Sequence, residues 1–413
     1  MKKRIVALRK SIRHLGGDYV PWGRSFEYAG DLDGLVAGVR ENILPHDPAA
    51  ARDLMAEFFV RDKAVFESCD DSSGAIGEVF REAAEVFAAA ARATSDPDAG
   101  LTIVSNLLRD DDYGVRSFLI KGIPRFLDKP HRESLLAEWW KAVPGSPDGS
   151  GSRHALVQIE QLAEAINDPV LYERAVSYGR DLEDFPILAI RVARQYFLKK
   201  KFTEALKLLP ISTLSPVHIR DDVDEIQMGC LKKLGRTEGW REALRSRVFR
   251  TADWRHFREF LAAIPPRDRK VTEGEILKAI HSGDYAPMAK ALFFLDAGDV
   301  RSCSRIVLAN PLSFEGRFYP ELERMARRLE ASHPLAATAL YRRLVDAVLS
   351  KSVAKYYRHA VNYLRSLDLL ALRINRWKPL ARHADYVAEL RAIHRRKTSL
   401  WELLNIGRHG GRI

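Results

Sequence analysis

A length of 413 residues allows two to three domains, and 46% hydrophobic with 29% charged residues is the balance of a globular chain with a full core. Three widely spaced cysteines, Cys69, Cys230 and Cys303, exclude a disulfide framework and a thiolate zinc site. No uncharged apolar run reaches the roughly 18 residues of a membrane span, and the opening MKKRIVALRKSIRHLGG lacks the apolar stretch of a secretory signal, so a soluble, cytoplasmic protein without a membrane partner is expected.

In chain order, residues 51–66 place Leu54, Met55, Phe58, Phe59, Asp62 and Phe66 at three- and four-residue intervals. They predict one amphipathic helix with a single polar lapse at Asp62. EVFREAAEVFAAAA at 78–91 predicts a second, buried helix. The segment AVPGSPDGSGS at 142–152 has almost nothing to pack and reads as a linker. Two prolines at Ile264-Pro265-Pro266 stop another helix. The expected division is an amino-terminal helical domain at 1–141, the linker at 142–152, helical hairpins at 153–264, and further hairpins with a basic cap at 265–413.

A weak repeat lies within the second half. Ala193, Tyr196, Phe202 and Ala205 share their offsets with Ala291, Phe294, Val300 and Cys303. Both read small–xx–aromatic–(five)–apolar–xx–small, a pattern that lets two antiparallel helices approach closely. The first stretch, AxxYFLKKKFTEALKLL, resembles a tetratricopeptide hairpin, although Ala189 stands where a large residue belongs and Pro210 ends the second helix early. No succession of alternating strands and no phosphate-binding Gly-rich loop is present. The expected fold is all-α, an α-solenoid of divergent tetratricopeptide-like helical hairpins.

Charge is concentrated at one end. Residues 331–413 hold 16 Lys and Arg against 5 Asp and Glu, which alone supplies the formal net charge of +11 and leaves residues 1–330 neutral. The densest cluster is Arg391, Arg395, Arg396 and Lys397, with Arg391 and Arg395 four apart on one expected helix face. Tyr356, Tyr357 and Trp377 are the aromatics to set beside it for stacking. Ser399 and Glu402 fit a capping box, so a long helix is expected to end near Lys397 and a short one, LWELLN, to end at Gly407. His383 and His394 are about 16 Å apart on one helix, too far to share an ion, and His394 reads as a packed histidine beside Ile393.

The phrases YxxAVxxLxxL on Tyr357, Ala360, Val361, Leu364 and Leu367, and YxxxLRxxHxRKxxxWxLL from Tyr386 to Leu404, carry a resemblance. So do Phe66-Glu67-Ser68-Cys69-Asp70-Asp71-Ser72-Ser73-Gly74 and Asp112-Tyr113-Gly114-Val115-Arg116. The chain resembles an uncharacterised bacterial family of all-helical proteins, and its ending is similar to that of bacterial proteins carrying a SWIM zinc finger. The zinc motif itself is absent, so the resemblance implies a helical fold and brings no activity and no metal.

Two acidic runs, Asp70-Asp71 and Asp110-Asp111-Asp112, are the remaining metal candidates. Asp70-Asp71 lacks the alternate-position ligands of a calcium loop, with Arg81 where its Glu would stand, and Asp71 or Ser72 precedes a helix whose exposed amides it can cap. No nucleophile–base pair is framed by a recognisable turn. The sequence therefore leads to a non-enzymatic protein-interaction scaffold with a protein or peptide partner, without cofactor, metal or small-molecule substrate. The alternative is a nucleic-acid-binding accessory protein acting through Arg391, Arg395, Arg396 and Lys397.

Overall fold

The computed structural model describes residues 1–143, 150–209, 220–351 and 353–409, without side chains at 150 and 406–409. Regular structure among these residues is helical throughout: 23 α-helices, a few single 3-10 turns, and one isolated bridge between Val20 and Cys69. The all-α expectation holds. The chain forms two compact units, Met1–Leu234 and Gly235–Ile413. Of the expected linker, 144–149 lie outside the described residues. Ala142 closes one helix and Ser150 opens the next, so residues 150–152 are helical. One hydrophobic cluster draws on both sides of that segment, from Ile12 to Ala175. The stop at Pro265-Pro266 falls between the helices Trp254–Ala263 and Arg269–Ser282. Pro210 lies outside the described residues.

In the first unit the helix Ala75–Thr94 is the central element. Its Ala- and Phe-rich face packs on Pro48–Val60 and Ser25–Asn42, and Phe80 meets Phe58, Phe59 and Phe66 with ring centroids 4.8–5.6 Å apart. Such aromatic clusters fill the wide groove that alanines leave open. The single helix expected over 51–66 is two, Pro48–Val60 and Asp62–Ser68, broken at Arg61. Asp62 explains the break. Its side chain is 1% exposed and pairs with Arg116, whose Nε and a terminal nitrogen each sit 2.7 Å from a carboxylate oxygen. Arg116 also donates to the Leu107 carbonyl at 3.2 Å. A lone buried carboxylate would be too costly to keep ionised, so the lapse in the apolar face requires this partner.

The acidic runs form two copies of one loop. Asp71 accepts from the amides of Ile76 and Gly77, both at 2.9 Å. Asp111 accepts from the amides of Arg116 and Ser117, at 3.1 and 2.9 Å. The offsets are the same, five and six residues on, and each loop carries a left-handed glycine three residues after its Asp, Gly74 and Gly114. Each carboxylate caps the turn that leads into the following helix. The second loop also packs on the helix Asp62–Ser68: Phe66 stacks on Tyr113 at 5.1 Å, and Lys63 pairs with Asp112 at 3.4 Å.

Three helix pairs close with one kind of turn: Ser150–Ala165 with Pro169–Val176, Pro186–Leu198 with Phe202–Lys207, and Pro287–Asp296 with Val300–Ala309. In each, a left-handed residue (Asn167, Lys200 or Gly298) donates to the carbonyl three residues back. The next residue donates five residues back: Asp168 to Ala163 at 2.8 Å, Lys201 to Tyr196 at 2.9 Å, and Asp299 to Phe294 at 2.9 Å. This satisfies the last carbonyls of the first helix. Asp168 and Asp299 then cap the second helix through their carboxylates, which Lys201 cannot do.

Two predictions follow from these contacts. Asp62→Ala leaves Arg116 buried without its partner and lowers stability by about 3–5 kcal/mol, while Asp62→Leu with Arg116→Met recovers most of that loss in denaturant unfolding. Lys200→Gly removes a left-handed lysine and Lys201→Asp adds the missing cap. Each raises stability by about 1 kcal/mol, read as a higher unfolding midpoint.

Candidate functional site

Of the basic cluster, Arg391 lies in the last turn of the helix His383–Ile393, and Arg395, Arg396 and Lys397 fall on the turn before the helix Thr398–His409. The expected long helix ends at Ile393, so Arg395 lies beyond it and does not share a helix face with Arg391. Ser399 is inside the last helix, which begins at Thr398 and runs on past Gly407 to His409. The cause is Trp401, whose indole Nε1 donates to the His394 carbonyl at 3.1 Å and folds the chain back. Ile393 is 66% exposed, and His394 is half-buried rather than part of an apolar face. Burial and the nearby Lys397 hold the His394 imidazole below its usual range.

The four basic residues divide into two pairs. The Arg391 guanidinium lies over the Trp401 ring at 5.4 Å, and the Lys397 ammonium lies over Tyr357 at 5.7 Å. Both pack on the chain's own aromatics. Arg395 and Arg396 are exposed. The turn is positioned from below by a buried polar network. Arg342 is sandwiched near Tyr386 (4.4 Å) and Trp377 (5.6 Å) and donates to the Ala381 carbonyl at 3.0 Å. The Tyr386 hydroxyl donates to Asp346 at 3.0 Å. Burial pushes the Asp346 carboxyl up and the Arg342 guanidinium down, each against the pull of its neighbours. The His383 Nε2 bonds Asp368 at 2.8 Å.

Elsewhere the expected candidates are structural. Asp70 Oδ1 accepts from the Ser72 amide, Asp71 and Asp111 are consumed by helix caps, and no group of three or more His, Cys, Asp or Glu is placed to hold a metal among the described residues. Burial pushes the Cys303 thiol up to about 12 and Cys230 up to about 11, and raises Cys69, so none of the three is an activated nucleophile.

Sequence reasoning missed a second feature. Tyr19, Trp22 and Phe26 are 76%, 66% and 71% exposed within eight residues. Their backbone is nonetheless fixed. The Val20 amide donates to the Ser68 carbonyl at 2.8 Å, and the buried Ser25 hydroxyl donates to the Trp22 carbonyl at 2.9 Å. The signal was present as YVPWGRSF, but composition alone does not tell an exposed aromatic from a core one.

A family of unknown function, DUF6880, matches the chain over residues 1–176 and 176–403, and the chain belongs to it. No curated protein and no solved structure matches.

Buried thiols make a direct prediction. The native protein reacts with no more than a trace of a thiol-specific chromogenic reagent at neutral pH, and releases all three equivalents in denaturant.

Proposed function

We propose that this chain is a non-enzymatic interaction scaffold that docks another protein through Tyr19, Trp22 and Phe26. The observation behind this reading is the combination of large exposed rings with an anchored backbone. Aromatic side chains supply the largest binding energy per residue at an interface, and a backbone already fixed leaves little ordering entropy to lose on association. Isolated exposed apolar residues need no explanation, but three large aromatics in one short segment do. We read the three like-turned helix pairs as units of a divergent α-solenoid, a form that uses extended surfaces for binding. Trp22→Ser with Phe26→Ser is expected to abolish recovery of a stoichiometric protein partner with the tagged chain, while the unfolding free energy changes by less than about 0.5 kcal/mol, as for ordinary surface changes. A partner retained by this variant contradicts the reading.

A second reading, nucleic-acid binding by the basic turn, is favoured by one observation: Arg395 and Arg396 stand exposed beside the helix that opens at Tyr357, with Lys355 and Arg358 also exposed there. It predicts that single-stranded RNA or DNA binds with a steep salt dependence. Arg395→Ala with Arg396→Ala then reduces the logarithmic salt slope by about 1.4 for a single strand. A slope unchanged by the substitutions, or no binding at physiological salt, rejects it.

A further inference from the structure

In the second unit a cleft of about 310 Å³ opens beside the basic end, between the turn Gly316–Phe318 and the helices Tyr319–Leu329, Pro334–Ser350 and Tyr357–Ala371. Its floor is aliphatic, from Leu344, Ala347 and Val348. At its mouth Tyr319 and Tyr356 are 60% and 40% exposed. Tyrosine rings left this open present a π-face to solvent that a planar group can cover. Lys351 and His359, both exposed, also line the mouth, and the Lys355 ammonium lies over one face of the Tyr356 ring, 5.0 Å from its centroid. One carboxylate, Glu323, reaches the cleft. It accepts from the Tyr363 hydroxyl at 3.3 Å and pairs with Arg327 on its own helix. A carboxylate has room for about four donors, so Glu323 retains acceptor capacity. Burial and the Glu323 charge push the Tyr363 hydroxyl up to about 12, so it stays a donor and Glu323 remains the acceptor of that pair.

We propose that this cleft is a nucleotide site, in which a base stacks on Tyr319 and Tyr356, Glu323 accepts from a base N–H, and Lys351 and His359 meet the phosphate. Each part of that ligand answers a different group on the wall: a flat π-face for the tyrosines, a donor for the single carboxylate, an anion for Lys351 and the His359 ring. An acidic peptide would satisfy Lys351 and leave the rings and Glu323 unmatched. An apolar ligand would leave Lys351 unmatched. A free nucleotide and the end of a single strand share the required chemistry. The inference goes beyond the scaffold reading and gives the second reading a base-binding element that does not depend on Arg395 or Arg396.

The test is equilibrium binding of the full chain to AMP, GMP, CMP and UMP. Adenosine, guanosine, cytidine and uridine serve as base-only probes, ribose 5-phosphate as a phosphate-only probe, and the four homotrinucleotides as strands. At least one mononucleotide or trinucleotide is expected to bind. The matching nucleoside and ribose 5-phosphate are expected to bind about tenfold more weakly or not at all. Tyr356→Ala and Lys351→Ala, both exposed positions, each weaken binding by about tenfold, while Tyr356→Phe keeps the ring and the affinity. A trinucleotide preferred over its mononucleotide identifies a strand end, and equal affinity identifies a free nucleotide. Absence of binding by all the nucleotides, or binding that Tyr356→Ala and Lys351→Ala leave unchanged, overturns the proposal. The Arg395→Ala, Arg396→Ala protein separates the two ideas. If it loses polynucleotide binding while the cleft variants do not, the basic turn stands and the cleft does not.

Discussion

The buried pair of Asp62 and Arg116 organises the first unit. It joins a helix whose apolar face it interrupts to a loop 54 positions later, and it satisfies both charges with two hydrogen bonds of 2.7 Å. Arg116 serves that loop twice, since its own amide is also one of the two that Asp111 caps. The pair therefore ties side-chain ionisation, helix capping and loop placement into one unit. Removing a member would leave an uncompensated buried charge rather than a simple gap.

A second constraint is the repeated turn. The same two hydrogen bonds close three helix pairs, although the left-handed position holds Asn, Lys and Gly and the capping position Asp, Lys and Asp. Backbone geometry is thus kept where side chains have diverged, and the middle pair, with Lys200 and Lys201, is the least well served by its residues. The side chains flanking these turns are buried in all three pairs: Ala163 and Tyr172, Tyr196 and Ala205, Phe294 and Cys303. Each pair sets a large residue against a small one across the turn, which is the close packing that antiparallel helices need.

Much of this was legible in the sequence. Helical periodicity identified the fold class, and the shared offsets of Ala193 and Ala291 found two of the three like turns. The third was missed for a physical reason: at Ala163 and Tyr172 the small and large residues exchange sides, so a pattern of residue identities fails where the packed volume is conserved. The lapse at Asp62 was visible, but its partner was not, because pairing across 54 residues is a property of the fold. At the basic end the helix face expected for Arg391 and Arg395 is interrupted, because the helix stops at Ile393. Trp401 turns the chain at 394–397 and sends Arg391 and Lys397 onto aromatic rings, leaving Arg395 and Arg396 exposed. The exposed segment Tyr19–Phe26 was unreadable for the opposite reason, since local sequence does not show which aromatics the core leaves out.

The first unit exposes an aromatic segment, and the second exposes a basic turn. The functional account rests on the first surface being used. Its most direct test is to place a photo-crosslinking amino acid at position 22 in living cells, with a second chain carrying it at Val271, an exposed apolar position in the second unit. The account predicts one discrete, nuclease-resistant protein adduct from position 22 that position 271 does not give. No adduct, or the same set of adducts from both positions, would contradict it.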